Sequence, residues 1–459
     1  IKLPQSLIRY MLRMIIGMKY TLHVEGLKHI PADKGILLLG NHVSLLDWAI
    51  LQMAYPKQIR FVIERSYYDK WYVKPVMDFW EVIPISSRGS KSALIKVTEA
   101  LNKGDTVVLF PEGHLSRNGH LSTFQRGFEI ATKEVENAVI IPFYLRGLWE
   151  NNFSYASRKM KRNKSKDITV NFSKSIDIHS TASEVKKAVF DLSVESWRDY
   201  AQSLPSLQKA WIRSAKNTGK KLCIADATGV KLSGNRFISH TLLMAAALRP
   251  KVKESQNIGL LLPTSIEGSM ATMALLTLGK TVVNLNCTNG EESLLHEIKT
   301  AHITKVIASK PSITKLKSKG FELTEILKDV EVIYLEETQE HMSQTKSVFT
   351  IMMVKILPTW LLSLLFITDS KTDDTAAILF SSGTEGEPKG IELSHTNIMG
   401  NIKQTTTLLN PSDHDVMLGT LPISHSFGLT VTTLLPLIEG IPVVCHQDPE
   451  NALGIGKIA

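Results

Sequence analysis

Cysteine is scarce in this chain. Cys223, Cys287 and Cys445 are the three in 459 residues, and no two lie close together. That excludes a disulfide framework and a cysteine zinc cluster, and it predicts a reducing, intracellular compartment. No run of about 18 or more apolar residues occurs, so no spanning helix is expected. No secretory leader with a small-residue cleavage site is visible either. Internal repeats, long low-complexity tracts and nucleic-acid-binding motifs are missing as well. What is in excess is basic charge: 53 Lys and Arg against 44 Asp and Glu, a formal net charge of +9. Without a nucleic-acid motif, that balance points to an anionic membrane surface or an acidic protein partner. A hydrophobic content of 43% and a charged content of 21% read as globular. The length implies two or three domains.

Two shorter apolar segments stand out. "IKLPQSLIRYMLRMIIGMKY" puts Lys2, Ser6, Arg9 and Arg13 on one helical stripe, and Leu7, Ile8, Met11, Leu12, Ile15 and Met18 over much of the rest. That pattern predicts a helix lying in a bilayer surface, with a core helix as the plainer alternative. "IMMVKILPTWLLSLLFI", Ile351 to Ile367, is interrupted by Lys355 and Pro358, and is read equally well as membrane contact or core.

Along the first half, "KGILLLG" reads as a strand and "NHVSLLDWAILQMA" as turn and helix. "SRGSKSALIKVTEALNKG" then reads as a helix leading into the strand "DTVVLFPEG". "FQRGFEIATKEV" leads likewise into "AVIIPFYLRG". Such alternation predicts an α/β fold with much parallel pairing. "SRKMKRNKSK", Ser157 to Lys166, holds six basic residues in ten and is expected to be an exposed loop, solvated or in contact with lipid headgroups. Near residue 200 the pattern resets. "NIGLLLPTS", "KTVVNLN", "KVIASK" and "VEVIYLEE" are short apolar strands between helices, a second α/β domain. The expected domains are therefore 1–200 and 201–459.

"GNHVSLLDWA" places His42 five residues ahead of Asp47. On a regular helix the two would not meet. They can meet if His42 lies in the turn before a helix whose N-cap is Ser44, with Asp47 at the third position. The carboxylate would then hold one ring nitrogen protonated and leave the other as a base. On this pentad alone, a loop histidine with a capping aspartate is the simpler reading. Three further stretches follow: "VIPISSRG" with Arg88, "FPEGHLSRNG" with Glu112, Gly113 and Arg117, and "VIIPFYLRG" with Pro142 at a strand start.

These four motifs, in this order over roughly residues 1–200, resemble the glycerolipid acyltransferase family. The resemblance implies that His42 deprotonates a glycerol hydroxyl for attack on an acyl thioester, that Asp47 orients and stabilises the imidazole, and that backbone N–H groups steady the oxyanion. Arg88 and Arg117 would bind a phosphate oxygen, with Gly113 in the same loop, and Glu112 would orient the substrate. The commonest form of the third motif has threonine and arginine after P-E-G. Here His114 and Leu115 stand there, and Arg117 is the nearest substitute.

In the second half, the strand Ala376 to Phe380 runs into "SSGTEGEPKG". Backbone N–H groups of such a loop can cradle phosphate, and a lysine adds charge. The decapeptide resembles the phosphate loop of adenylate-forming enzymes, the acyl-CoA synthetase and luciferase superfamily. The resemblance implies that Ser381, Ser382, Gly383, Thr384, Gly386 and Lys389 bind nucleotide phosphates. It also implies that His425, in "LPISHSFG", lines an acyl pocket. The family's Y-G-x-[ST]-E and T-G-D motifs and its late catalytic lysine do not occur in these residues, so the match is to the N-terminal part of such a domain.

An acyltransferase followed by an adenylate-forming domain resembles the bifunctional acyl-[acyl carrier protein] synthetase/2-acylglycerophosphoethanolamine acyltransferase family. That resemblance implies ATP and Mg2+ for fatty-acid activation, and acyl carrier protein as acyl donor and acidic partner. It implies a lysophospholipid acceptor acylated at its sn-1 hydroxyl, a membrane-surface location on the cytoplasmic face of a bacterial inner membrane, and in some relatives a lysophospholipid flippase. Two other readings stay open: a lysophosphatidate-type acyltransferase with an inert adenylation remnant, and a non-catalytic membrane scaffold.

Overall fold

A computed structural model describes residues 5–86, 90–162, 166–286, 290–318, 320–340, 344–381, 388–448 and 451–458. The chain divides into two compact units, Ile1–Tyr200 with Thr407–Ser412, and Ala201–Thr406 with Asp413–Ala459. The short segment Thr407–Ser412, assigned to the second domain from sequence, groups with the first unit.

The first unit is built on seven strands: β1 Thr21–Glu25, β2 Gly35–Gly40, β3 Ile59–Glu64, β4 Ile83–Ile85, β5 Thr106–Leu109, β6 Ala138–Arg146 and β7 Asp167–Phe172. Their order in the sheet is β1-β7-β6-β2-β5-β3-β4. Every pair is parallel except β6–β7. β2 is central and buried along its whole length, which is why "GILLLG" is a continuous apolar run rather than an alternating one. Apolar side chains cover both faces of the sheet. Leu38, Ile50, Val108 and Phe143 belong to one core, and Leu37, Val97, Phe128 and Ile140 to the other.

Two local expectations change. Pro142 is not at a strand start but fifth in β6. It is tolerated because the neighbour on that side changes there. Ile140 bridges Ile176, the β7 ladder begins at Phe143, and the Pro142 carbonyl accepts from Ser173 N at 2.8 Å. The proline therefore lies where the ladder is already interrupted. The basic run is not simply a loop, because Arg158–Arg162 is a short helix with Met160 buried.

The second unit has a six-stranded sheet in the order β13-β12-β10-β11-β14-β15 and a four-stranded sheet in the order β16-β17-β8-β9. The strands are β8 Leu222–Asp226, β9 Lys231–Ser233, β10 Asn257–Leu261, β11 Thr281–Asn284, β12 Lys305–Ala308, β13 Glu331–Tyr334, β14 Thr375–Phe380, β15 Gly390–Ser394, β16 Met417–Gly419 and β17 Val443–Cys445. Pairing is parallel apart from β14–β15 and β8–β9. The sequence reading of an α/β architecture holds for both units, and the sheets are mixed. Among the described residues, no helix is long and apolar enough to cross a membrane.

Candidate active site

At the end of β2 the backbone passes very close to β6. A Cβ on Gly40 would sit 2.4 Å from the Phe143 carbonyl oxygen, so only glycine fits. The next residue extends the ladder with its side chain. The buried Asn41 amide donates to Leu145 O at 2.8 Å and accepts from Leu145 N at 2.7 Å. This fixes where the chain leaves the sheet, and His42 follows immediately.

His42 is held through its backbone as well as its ring. Its N–H donates to Glu112 Oε1 at 3.0 Å, and its carbonyl accepts from Ser116 N at 2.7 Å. Its ring stacks on Phe110, with centroids 4.1 Å apart and planes 14° from parallel. Its Nδ1 lies 2.8 Å from Asp47 Oδ2. Asp47 is wholly buried, and the same oxygen also accepts from Val43 N at 2.8 Å and Ser44 N at 3.0 Å. With Nδ1 as donor to the carboxylate, the other ring nitrogen is an acceptor, the arrangement a general base requires.

The helix does not begin where the capping pattern placed it. It spans Asp47–Ala54 with Leu46 as N-cap. One half of the expected box is made, the Asp47 carboxylate on Ser44 N. The other half is not, because the Ser44 hydroxyl accepts from Leu46 N at 3.1 Å and bonds the buried Asn151 amide instead. The serine is taken by a tertiary partner, which the local spacing could not show.

Glu112 is also buried. Its Oε2 accepts from Ser122 N at 3.0 Å and Ser122 Oγ at 2.7 Å, while Oε1 holds His42 N. Both oxygens are thus committed to protein donors, so Glu112 positions the histidine turn and the 113–125 loop. Gly113 adopts φ +73°, which favours glycine whatever the free space.

His42 lines a cavity of about 1090 Å³. Its walls are mostly apolar, including Trp48, Phe61, Met77, Trp80, Phe128 and Phe153. Gly113 and His114 line it too, whereas Arg117 is exposed and is not among the lining residues. Arg117, expected to contact phosphate, thus lies off this wall, and Arg88 lies outside the described residues. No lysine or arginine is found among the described lining residues. Sequence reasoning missed the segment from Phe61 to Val82, which supplies much of the cavity wall. Its signal was available: Tyr67, Tyr68, Trp71, Tyr72, Phe79 and Trp80 crowd together in a chain only 7% aromatic.

In the second unit, β14 and β15 bring the ends of the glycine-rich loop together, with Ser381 N donating to Lys389 O at 3.1 Å. Lys389 is exposed at the loop exit, and His296 Nε2 bonds Pro388 O at 2.9 Å, which ties that exit to the helix Glu291–Thr300. Ser381 and Lys389 therefore flank the two ends of that loop. Ser382, Gly383, Thr384 and Gly386 lie outside the described residues. No group of three or more His, Cys, Asp or Glu that could hold a metal ion occurs among the described residues. A small cavity of about 90 Å³ lies beyond the carboxyl ends of β10, β16 and β17, lined by Thr264, Pro422 and Ser424 among others. His425 is exposed and does not line it.

Behind the loop, Glu297 is buried and its Oε2 accepts from Asn286 N at 2.9 Å. Burial pushes its carboxyl up to about 7, the hydrogen bonds from Asn286 and Ser293 pulling the other way.

Residues 21–146 match the family model Acyltransferase, and residues 211–455 match AMP-binding enzyme. A 4-coumarate–CoA ligase-like 6 from Arabidopsis thaliana is 25% identical over 253 residues, 53% of this chain and 42% of that protein. The chloroplastic 1-acyl-sn-glycerol-3-phosphate acyltransferase LPAT1 of the same plant is 29% identical over 134 residues, 28% of this chain and 36% of that protein. The chain thus spans less than half the length of these relatives. Among solved structures, O-succinylbenzoate coenzyme A synthetase from Bacillus subtilis is 20% identical with a TM-score of 0.44, covering 54% of this chain and 60% of that one. An AMP-binding domain supports ATP use by the second unit, and an acyltransferase domain supports acyl transfer by the first. The chain belongs to the AMP-binding enzyme family, and carries an acyltransferase domain ahead of that domain in the same polypeptide.

Proposed function

We propose that the first unit transfers a fatty acyl group from acyl-acyl carrier protein to the sn-1 hydroxyl of a lysophospholipid, 2-acylglycerophosphoethanolamine, at a membrane surface. The observation that carries the reading is the 2.8 Å contact of His42 Nδ1 with the buried Asp47, on the wall of an apolar cavity large enough for an acyl chain. His42 takes the proton of the acceptor hydroxyl, whose oxygen attacks the thioester carbon. Collapse of the tetrahedral intermediate expels the carrier thiolate, which takes the proton back from the imidazolium. Asp47 stabilises that imidazolium while it lasts.

The second unit would supply the donor by ATP- and Mg2+-dependent activation of a fatty acid in a longer chain. The place of work would be the cytoplasmic face of a bacterial inner membrane, with a flippase delivering the acceptor. The outward Met14, Ile15 and Met18 of the helix Gln5–Gly17 and its exit support the membrane part.

A lysophosphatidate acceptor is the second reading, favoured by the likeness to the plant acyltransferase. One preparation given preloaded acyl-acyl carrier protein with lysophosphatidylethanolamine or lysophosphatidate decides between them. Turnover with the first supports the proposal, preference for the second replaces it, and turnover with neither overturns both. ATP–pyrophosphate exchange with free fatty acid should be absent from these 459 residues, and robust exchange would show that the second site is already complete.

A further inference from the structure

The helices Gln344–Ile356 and Thr359–Phe366 of the second unit are apolar on both sides. Inward, Thr350, Val354 and Leu362 are buried. Outward, Val348, Met352, Ile356, Trp360 and Leu364 recur every four residues and stand between 49% and 72% exposed. A helix that buries one apolar face and presents another to water carries a cost that some second environment must remove. The segment is held in place rather than loose. The Lys216 ammonium donates to the Val354 carbonyl and, at 3.0 Å, to the Lys355 carbonyl, capping the end of the first helix.

The charge within this segment has one sign. No Asp or Glu occurs from Gln344 to Thr368. Lys355 is exposed within the stripe, and the neighbouring helix Leu207–Thr218 contributes exposed Arg213 and is followed by exposed Lys220 and Lys221. The next acid along the chain, Asp369, is paired with Lys209 at 2.6 Å. A second copy docked face to face would set lysine against lysine with no acid on the stripe to compensate. An apolar stripe with tryptophan and bordering cations instead matches the interfacial layer of an anionic bilayer.

We propose that these two helices form a bilayer-docking surface on the adenylate-forming unit, with anionic lipid as the occupant. The surface belongs to the second unit alone and does not depend on the acyl-transfer reading.

The test uses the full chain with Leu364→Cys carrying an environment-sensitive fluorophore, in a Cys287→Ser background. Cys223 and Cys445 are buried and should not take the label. Phosphatidylcholine vesicles containing phosphatidylglycerol should blue-shift and brighten the label, and phosphatidylcholine alone should do so less. In unlabelled protein, Ile356→Gln with Trp360→Gln and Leu364→Gln should lower vesicle affinity about tenfold, since three large exposed side chains lose apolar burial in the bilayer. All three positions are exposed, and an unchanged melting curve would confirm that the variant folds. A label indifferent to vesicles overturns the proposal. So does a label that responds to protein concentration without lipid, which marks a second copy, or to an acidic carrier protein but not to vesicles. Because the label reports only position 364, vesicle binding through the N-terminal helix cannot imitate the result.

Discussion

Asp47→Asn separates the chemistry of the His42–Asp47 pair from its structural role. One carboxylate oxygen accepts three hydrogen bonds, from His42 Nδ1, Val43 N and Ser44 N. The other has no partner among the described residues. An asparagine can set its carbonyl oxygen on the same three donors and its amide nitrogen where the unpartnered oxygen was. The backbone bonds then survive with a neutral acceptor. Charged-acceptor bonds contribute about 1.5–3 kcal/mol each and neutral ones about 1 kcal/mol, so across the three bonds the fold should lose about 1.5–6 kcal/mol, to be read in a thermal melt. Catalysis should suffer as well, because the charge that stabilises the imidazolium is gone. By analogy with serine-protease triads, kcat should fall about 10³–10⁴-fold, about 4–5.5 kcal/mol. His42→Ala should lower transfer by several orders of magnitude. Adding Asp47→Asn to it should cost little further, because base and orienter act as one unit. The assay is acyl transfer from preloaded acyl-acyl carrier protein, with circular dichroism on each variant. A folded Asp47→Asn protein of normal kcat, or a double variant whose losses simply add, would refute the reasoning.

Three further outcomes follow from the same geometry. Glu112→Gln keeps one acceptor but cannot hold both His42 N and the Ser122 donors, so kcat should fall about tenfold or more while KM changes little; a change confined to KM would make Glu112 a substrate ligand instead. Glu297 has a folded pKa near 7, above its unfolded value, so the folded state holds the extra proton between about 4.5 and 7 and stability declines as pH rises through that window, by about 3 kcal/mol in all. Glu297→Gln should flatten that slope in denaturant titrations across the window, and an unchanged slope would mean the carboxyl ionises normally. In the N-terminal helix, Arg13 donates to Met53 O at 3.1 Å and so serves the fold, so vesicle binding should depend on the outward Met14, Ile15 and Met18. Substituting these three by Gln should weaken sedimentation with anionic vesicles, whereas Arg13→Ala should mainly lower the melting temperature.

What the sequence determined by itself were the features written within a few residues. The apolar run Ile36–Leu39 read as a strand, and the alternation of such runs with helical segments pointed to α/β architecture in both halves; that the strand is buried on both faces is shown by the structure. His42 and Asp47 were not legible as a pair from their pentad alone, where a loop histidine was the simpler reading; the resemblance carried by the four motifs pointed to the pair, and the structure sets them at 2.8 Å. Tertiary structure alone decided what depends on partners far along the chain. Ser44 bonds Asn151 rather than completing its capping box, and Glu112 spends both oxygens on His42 and Ser122. Arg117, three residues beyond His114, faces solvent while His114 lines the cavity, because the turn at Gly113 and the bonds of Ser116 set the direction of that loop. The cavity itself comes from segments near residues 42–52, 61–86, 94, 109–130 and 152–155, which meet only when the sheet sets β5 between β2 and β3. Local spacing fixes which side chains can cooperate within a turn. Which distant backbone groups claim those side chains, and which walls enclose them, follows from packing helices into close-filled cores on both faces of the sheet.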